Sequence, residues 1–177
     1  VNCIFKDSKQ QIWAGTNFGL YRLDKVSKTF KPYKLENAVN IVSLYEDSRN
    51  ILWVSTSDNG AFAIKDGTVK RYCVEKYLLK NNKVHGVTED EKGNVYLAVR
   101  DGKGLHYLDY RTGKMSVFSN DIYNPYSINS GVLTSIFKDK FNNIWIGSLS
   151  KGLNFLDKNH KAFLPYNINF KANGLIN

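Results

Sequence analysis

Residues that could carry catalysis are scattered in this sequence. Three histidines, His85, His106 and His160, lie far apart, and none has the close spacing to a second histidine that helical metal sites show. No nucleophile stands beside a base that could be identified as activating it. The sequence therefore predicts no catalytic residue, no metal site and no cofactor.

Four aspartates recur at regular intervals instead. Asp7, Asp47, Asp90 and Asp139 are separated by 40, 43 and 49 residues, and an aromatic residue follows each of them six positions later. Paired carboxylates can perform acid–base chemistry. Four copies at one position of a repeat indicate a structural role instead, in which the carboxylate bonds the backbone of a turn that it opens. The aromatic residues are Trp13, Trp53, Tyr96 and Trp145, and packing is their expected role.

The interval between the aspartates is typical of proteins with one supersecondary unit per repeat. In each copy two apolar stretches flank the polar turn, which predicts strand, turn and strand. The third position after the aspartate calls for a left-handed backbone, which asparagine and glycine tolerate; Gln10 is the weak case. A glycine-bearing break, a third strand and a fourth strand follow. We therefore predict four-stranded antiparallel meanders, at about 1–40, 41–83, 84–131 and 132–177.

The first strand of each repeat predicts how the meanders pack. It carries a small residue followed by two larger ones, as in Ser135, Ile136 and Phe137. Since neighbouring residues of a strand face opposite sides, both faces of the sheet must be covered. Sheets covered on both faces by copies of themselves are typical of a β-propeller. The prediction is an all-β fold of four four-stranded antiparallel blades, part of a larger ring of about seven blades, with uncovered apolar faces on the two end blades.

Composition limits the classes of function. The 177 residues contain 42% hydrophobic residues, as a globular protein does, but no apolar run long enough to span a membrane. The net charge of +9 raises the question of nucleic acid. Lysines such as Lys25, Lys28 and Lys31 fall in the last third of a repeat, where they would block sheet-to-sheet aggregation along an exposed edge. We therefore predict no contact with nucleic acid. Cys3 and Cys73 are expected to be free thiols.

The segment 132–157 resembles the repeat of two-component regulator propellers. The residues that carry the resemblance are Asp139, Trp145, Gly147 and the pair Gly152 and Leu153. Repeats one and four match best, whereas repeats two and three depart at Ser55 and Ala61 and at Tyr96 and Ala98. The linker from Asn124 to Ile128 also resembles the connection between blades in that family.

The resemblance implies the periplasmic sensory region of a membrane-bound hybrid histidine kinase, in which the fragment itself is not catalytic. Its expected partners are the remaining blades and domains of the parent chain, an oligosaccharide ligand, and a second copy of the sensor in a homodimer. Two other functions fit a propeller. One is a scaffold for protein interactions that binds no small ligand, and the other is a polysaccharide lyase.

Candidate ligand-binding residues lie where the repeats stop agreeing, in the loops between the second and third strands. Polar side chains beside aromatic rings suit a sugar, whose hydroxyls need hydrogen bonds and whose ring faces stack on flat apolar surfaces. Variable, solvated loops without a ligand are the alternative interpretation of the same pattern. The candidates are Asn17, Phe18, Asp58, Asn59, Arg100, Asp101, Lys103, Ser150 and Lys151.

Overall fold

The computed structural model describes residues 1–36, 40–74, 79, 82–101, 104–156 and 163–166. They contain sixteen β-strands. The strands are, in chain order, β1 (Cys3–Lys6), β2 (Ile12–Thr16), β3 (Gly19–Asp24), β4 (Thr29–Tyr33), β5 (Ile41–Glu46), β6 (Leu52–Thr56), β7 (Ala61–Lys65), β8 (Thr68–Tyr72), β9 (Val84–Glu89), β10 (Val95–Val99), β11 (Gly104–Leu108), β12 (Met115–Ser119), β13 (Leu133–Lys138), β14 (Ile144–Ser148), β15 (Leu153–Leu156) and β16 (Phe163–Tyr166). No helix among these residues is long and apolar enough to cross a membrane.

The strands form four separate antiparallel sheets, each a meander of four consecutive strands. The first strands of the sheets are neighbours in chain order, with β1 beside β5, β5 beside β9 and β9 beside β13. The sheets are therefore arranged as blades around a common centre. The predicted all-β class and the four four-stranded blades are confirmed, and we refer to the sheets as blades 1 to 4.

Each hairpin between the first and second strands is built around its aspartate. In blade 4, Asp139 Oδ1 accepts hydrogen bonds from the backbone amides of Phe141 and Asn143, both at 2.9 Å. Its Oδ2 accepts from Asn143 Nδ2 and from Trp145 Nε1, both at 3.0 Å. Asn142, between them, has a φ of 67°. The predicted bond from the aspartate to the turn is confirmed, and the tryptophan proves to be a hydrogen-bond donor as well as a packing residue.

The same arrangement recurs in blades 1 and 2. Trp13 Nε1 donates to Asp7 at 2.8 Å, and Trp53 Nε1 donates to Asp47 at 3.0 Å. The left-handed turn position is confirmed in all four blades, including the unfavourable Gln10, whose φ is 59°. Since the carboxylate compensates for this backbone conformation with several hydrogen bonds, the turn tolerates a residue with a side chain.

A second device joins one blade to the next. Ser8 of blade 1 donates its amide and its hydroxyl to the Glu46 carboxylate of blade 2, at 2.7 and 2.9 Å. Ser48 of blade 2 makes the same pair of bonds to Glu89 of blade 3, at 2.8 and 3.0 Å. The serine directly follows the aspartate of its own blade, and the glutamate directly precedes the aspartate of the next blade. We call this pair the serine–glutamate latch.

Apolar side chains fill the space between successive blades. Trp13 and Leu20 of blade 1 pack on Val54, Phe62 and neighbouring residues of blade 2. The clusters between blades 2 and 3 and between blades 3 and 4 are built in the same way. One face of every blade thus packs on the opposite face of the next, as the paired large residues of the first strands predicted.

The outermost strands of the blades and the outer faces of the two end blades are exposed to solvent. The outer strands β4, β8 and β12 are mostly exposed, which supports the prediction of a solvated rim. Ile4, on the outer face of blade 1, is 70% exposed, and Phe137, on the outer face of blade 4, is 64% exposed. These are the uncovered apolar faces that the sequence predicted for the end blades. Cys3 is half-buried and Cys73 is buried, both as free thiols.

The buried copy of the aspartate gives a prediction for stability. Asp47 is 3% exposed and accepts bonds from the amides of Arg49 and Ile51, from the Arg49 guanidinium and from Trp53. Asp47→Asn keeps the shape but presents an amide nitrogen to some of these donors. We expect it to lower the free energy of unfolding by about 2 kcal/mol or more, measured by urea denaturation. Asp58→Asn, at an exposed position, should change it by less than about 0.5 kcal/mol, and equal effects of the two substitutions would contradict this role.

The half-buried copy in blade 4, Asp139, gives a prediction for pH. The Trp145 indole, the Asn143 amide and two backbone amides lower the pKa of Asp139 to about 2. Because the pKa in the folded state lies below the usual value, this carboxylate stabilises the fold above about pH 4 and loses the contribution as the pH falls toward 2. Asp139→Asn should therefore reduce the loss of stability between pH 5 and pH 2.5. Between pH 7 and pH 5 the variant and the wild type should respond alike in thermal unfolding. An undiminished loss below pH 5 would show that the hydrogen bonds to this carboxylate do not stabilise the fold.

Candidate functional site

The loops between the second and third strands lie at one end of the blades, and a hydroxyl orders three of them. At the end of β2, Thr16 accepts a bond from the amide of Phe18 and donates to the carbonyl of Gly19, both at 3.0 Å. Thr56 and Ser148 do the same in blades 2 and 4. Blade 3 has Val99 at this position and so lacks the hydroxyl. The loops are thus held at their base, and their tips are free to differ.

Most of the predicted ligand-binding residues lie at these tips. Phe18 is 85% exposed, and Asn17 accepts a bond at 2.7 Å from Asn2 at the approach to β1. Asp58 is exposed and accepts a bond from Asn59, whose carbonyl accepts from Arg71.

In blades 3 and 4 the tips are arranged in a similar way. Asp101 forms an ion pair with Lys83 at 3.5 Å, and the amide of its neighbour Arg100 donates to the carbonyl of Lys83. Ser150 and Lys151 are exposed. Lys103 lies outside the described residues.

The structure places the described candidates at one end of the blades but does not join them into one site. Among the described residues, each of their hydrogen bonds stays within its own loop, reaches the approach to a first strand, or goes to a residue of its own blade. An exposed phenylalanine near exposed amides and carboxylates is a surface that a sugar can contact. The assignment of these loops to a ligand stays a prediction.

A cleft at the opposite end of the blades was not predicted from the sequence. It lies between blades 3 and 4 and has a volume of about 310 Å³. Its walls are the side chains of Tyr96, Tyr107, Phe118, Ile144 and Leu156. Its mouth is formed by Asp90, Glu91, Lys92, Asn94 and Asn142.

The cleft coincides with a change in the repeated hairpin. Tyr96 of blade 3 stands where the other blades have tryptophan, and it packs against Tyr107 with ring centroids 5.1 Å apart. The turn itself is unchanged, since Asp90 accepts from the amides of Lys92 and Asn94 and from Asn94 Nδ2, as Asp139 does from its own turn. Only the bond from the indole is missing. The departure of Tyr96 from the repeat was visible in the sequence and was the signal for this cleft.

The serine–glutamate latch also changes at this junction. Glu91 stands at the position of the serine, and Lys138 stands at the position of the glutamate. Asn142 Nδ2 of blade 4 donates to Glu91 Oε1 at 2.8 Å, and Lys138 Nζ lies 3.7 Å from Glu89. Both the indole–aspartate bond and the serine–glutamate latch of blades 1 and 2 are therefore replaced where the cleft lies.

The electrostatics of the cleft keep its tyrosines protonated. Burial raises the pKa of Tyr96, and the nearby Asp90 and Tyr107 raise it further. Burial and the charges of Asp90 and Asp109 also raise the pKa of Tyr107. Both hydroxyls are hence available as donors at neutral pH, and neither has a hydrogen-bond partner among the described residues.

The structure offers no alternative centre of metal chemistry in the part of the chain that it describes. No group of three or more His, Cys, Asp or Glu side chains there could hold a metal ion. His106 is fully buried, with Nδ1 3.3 Å from the carbonyl of Gly104. Burial lowers the pKa of the half-buried His85, and the charge of Arg100 lowers it further. His160 lies outside the described residues.

Known proteins contain sequences similar to the repeat of this chain. The family model "Two component regulator propeller" matches residues 35–58 and 127–150. An alignment 144 residues long, which covers 75% of this chain, is 31% identical to Histidine kinase P4 of Formosa agariphila. The chain spans 10% of the length of that kinase.

Solved structures show the same fold. An extracellular domain of a putative hybrid two-component system from B. thetaiotaomicron aligns with 98% of this chain at a TM-score of 0.75 and 19% identity, and the match covers 24% of that domain. Virginiamycin B lyase from Staphylococcus aureus aligns with 97% at a TM-score of 0.71 and 17% identity, and the match covers 56% of the lyase. These likenesses show the fold, and both matched proteins are longer than the part that aligns with this chain. The repeated hairpin and the matching family model identify residues 35–58 and 127–150 as repeats of the two-component regulator propeller family.

Proposed function

We propose that this chain is part of the periplasmic ligand-sensing region of a membrane-bound two-component histidine kinase, and that the ligand is an oligosaccharide. The observation that carries the proposal is the 31% identity with Histidine kinase P4 over 144 residues. The extracellular domains of two-component systems from B. thetaiotaomicron support the extracytoplasmic location, since they share the fold. The blades completing the ring, the kinase domain and a second copy of the sensor are the proposed partners.

The geometry suits recognition better than turnover. The described loop tips present an exposed aromatic ring, amides and carboxylates without a nucleophile and base arranged to react. Binding at these loops can send a signal only if the ligand has different affinities for two arrangements of the domains or protomers. The blades are tightly joined units, so we expect the change to occur between domains and not within a blade.

We expect the full-length protein to bind an oligosaccharide and to change its autophosphorylation rate when it does. Neutral and acidic oligosaccharides of several linkages, tested by calorimetry and by a kinase assay in membranes, identify the ligand. Phe18→Ala should weaken binding at the loop face about tenfold, because it removes a stacking surface.

Val26→Ala is a matched control, since Val26 is an exposed apolar residue outside these loops. It should leave binding unchanged. If no oligosaccharide binds, the carbohydrate-sensing function is refuted, and the function as a scaffold for protein interactions is favoured. If a sugar chain is cleaved, the protein is instead a propeller lyase.

A further inference from the structure

We infer that the cleft between blades 3 and 4 binds one neutral sugar residue. The inference rests on the proposed function for the class of ligand, a carbohydrate, and assigns it a site at the end of the blades away from the variable loops. Tyr96, Tyr107 and Asp90 are the residues that would hold the sugar.

A tyrosine stands beside the cleft at the position where the other blades have a tryptophan. In blade 2 the Trp53 indole is fully buried and donates to Asp47. In blade 3 the residue is the smaller Tyr96, and beside it lies a cleft of about 310 Å³. This lies near the lower end of the roughly 300–1,000 Å³ found for ligand pockets, which suits a single sugar ring.

Two polar groups in the cleft have hydrogen-bonding capacity that the described residues do not use. Tyr96 lines the cleft, and its hydroxyl has no hydrogen-bond partner among the described residues. Asp90 Oδ2 accepts only from Asn94 there, whereas the matching oxygen of Asp139 accepts from an asparagine and a tryptophan. The cleft thus offers donors beside an acceptor.

A sugar hydroxyl satisfies both kinds of group. Its oxygen can accept a bond from a tyrosine, and its hydrogen can be donated to the Asp90 carboxylate. The apolar face of the ring can lie against the aromatic walls, which Tyr96, Tyr107 and Phe118 form with centroids 5.1 to 6.5 Å apart. Each feature of the cleft therefore matches one feature of a pyranose.

The charges at the mouth select among sugars. Asp90 and Glu91 are acidic, and Lys92 is the basic residue beside them. The Asp90 carboxylate brings a negative charge to the cleft and disfavours a carboxylated or sulfated sugar, since like charges brought together weaken binding. Glu91 and Lys92 are exposed, so that the rest of an oligosaccharide can extend past them into solvent.

The test is the variant Tyr96→Trp, which restores the residue of the other blades. The indole should extend into the cleft beside Asp90 and donate to its carboxylate, since the turn has the same geometry as that of Asp139. It should thereby occupy the acceptor that a sugar hydroxyl would use. We expect the thermal midpoint of the full-length protein to be unchanged or higher. Its affinity for a neutral oligosaccharide, measured by calorimetry, should fall about tenfold or more.

Two further variants keep the test decisive if Tyr96→Trp folds poorly. Tyr96→Phe combined with Tyr107→Phe retains both rings and removes both hydroxyls. It should lower the affinity for the same neutral oligosaccharide several-fold. Val26→Ala, at an exposed position outside the cleft and the variable loops, should leave binding at the cleft unchanged. An oligogalacturonate should bind at the cleft more weakly than a neutral gluco- or xylo-oligosaccharide of equal length.

Each outcome decides between the two proposals. If a sugar binds with wild-type affinity to a folded Tyr96→Trp protein, or to the double phenylalanine variant, the cleft is not its site and the proposed function stands through the loops. If Tyr96→Trp lowers the affinity for the acidic oligosaccharide and not for the neutral one, the assignment to a neutral sugar is overturned. If no sugar binds to the wild type, the inference and the carbohydrate-sensing function fail together.

Discussion

The structure depends on one interaction, the hydrogen bonding of a single aspartate at the start of each hairpin. The Asp139 carboxylate accepts hydrogen bonds from two backbone amides of the turn, from the Asn143 side chain and from the Trp145 indole. It closes the turn and fixes the aromatic ring of the second strand in one orientation. In blades 1 and 2 the corresponding rings of Trp13 and Trp53 lie between two blades. There a local turn helps to determine how the blades pack on each other.

The contacts between blades follow from the same position in the sequence. The residue after the aspartate, as in Ser8 and Ser48, bonds to a glutamate placed just before the next aspartate. The turn, the aromatic ring and the serine–glutamate latch therefore occur together, at the same positions of successive repeats. A change in one copy alters the local junction without disturbing the others, since each blade contacts mainly its neighbours.

The junction of blades 3 and 4 illustrates this independence. Tyr96 cannot replace the bond of the indole to Asp90, and Glu91 and Lys138 occupy the two positions of the latch. The blades stay joined through the apolar cluster around Ile144 and Ile146 and through the bond from Asn142 to Glu91. A repeat protein can thus acquire a cleft by a few substitutions at one junction, while the remaining copies maintain the fold.

The sequence alone determined the strands, the antiparallel meanders, the left-handed turns and the blades, because each depends on residues close together in the chain and occurs four times. Even Gln10, unfavourable by its own preference, could be assigned from its place in the repeat. The exposed faces of the end blades followed from the same pattern. The loop residues such as Phe18 and Ser150 could be located but not joined into a site, since their mutual arrangement depends on several blades.

Only the tertiary structure decided what happens between blades. The latch from Ser48 to Glu89 joins residues 41 positions apart, and neither residue type by itself signals such a bond. The sequence showed Tyr96 as a departure from the repeat. It did not show that Tyr96 lines a cleft, or that its hydroxyl has no hydrogen-bond partner among the described residues. The volume between two packed sheets depends on side chains from both of them, and their positions are set only when the blades are brought together.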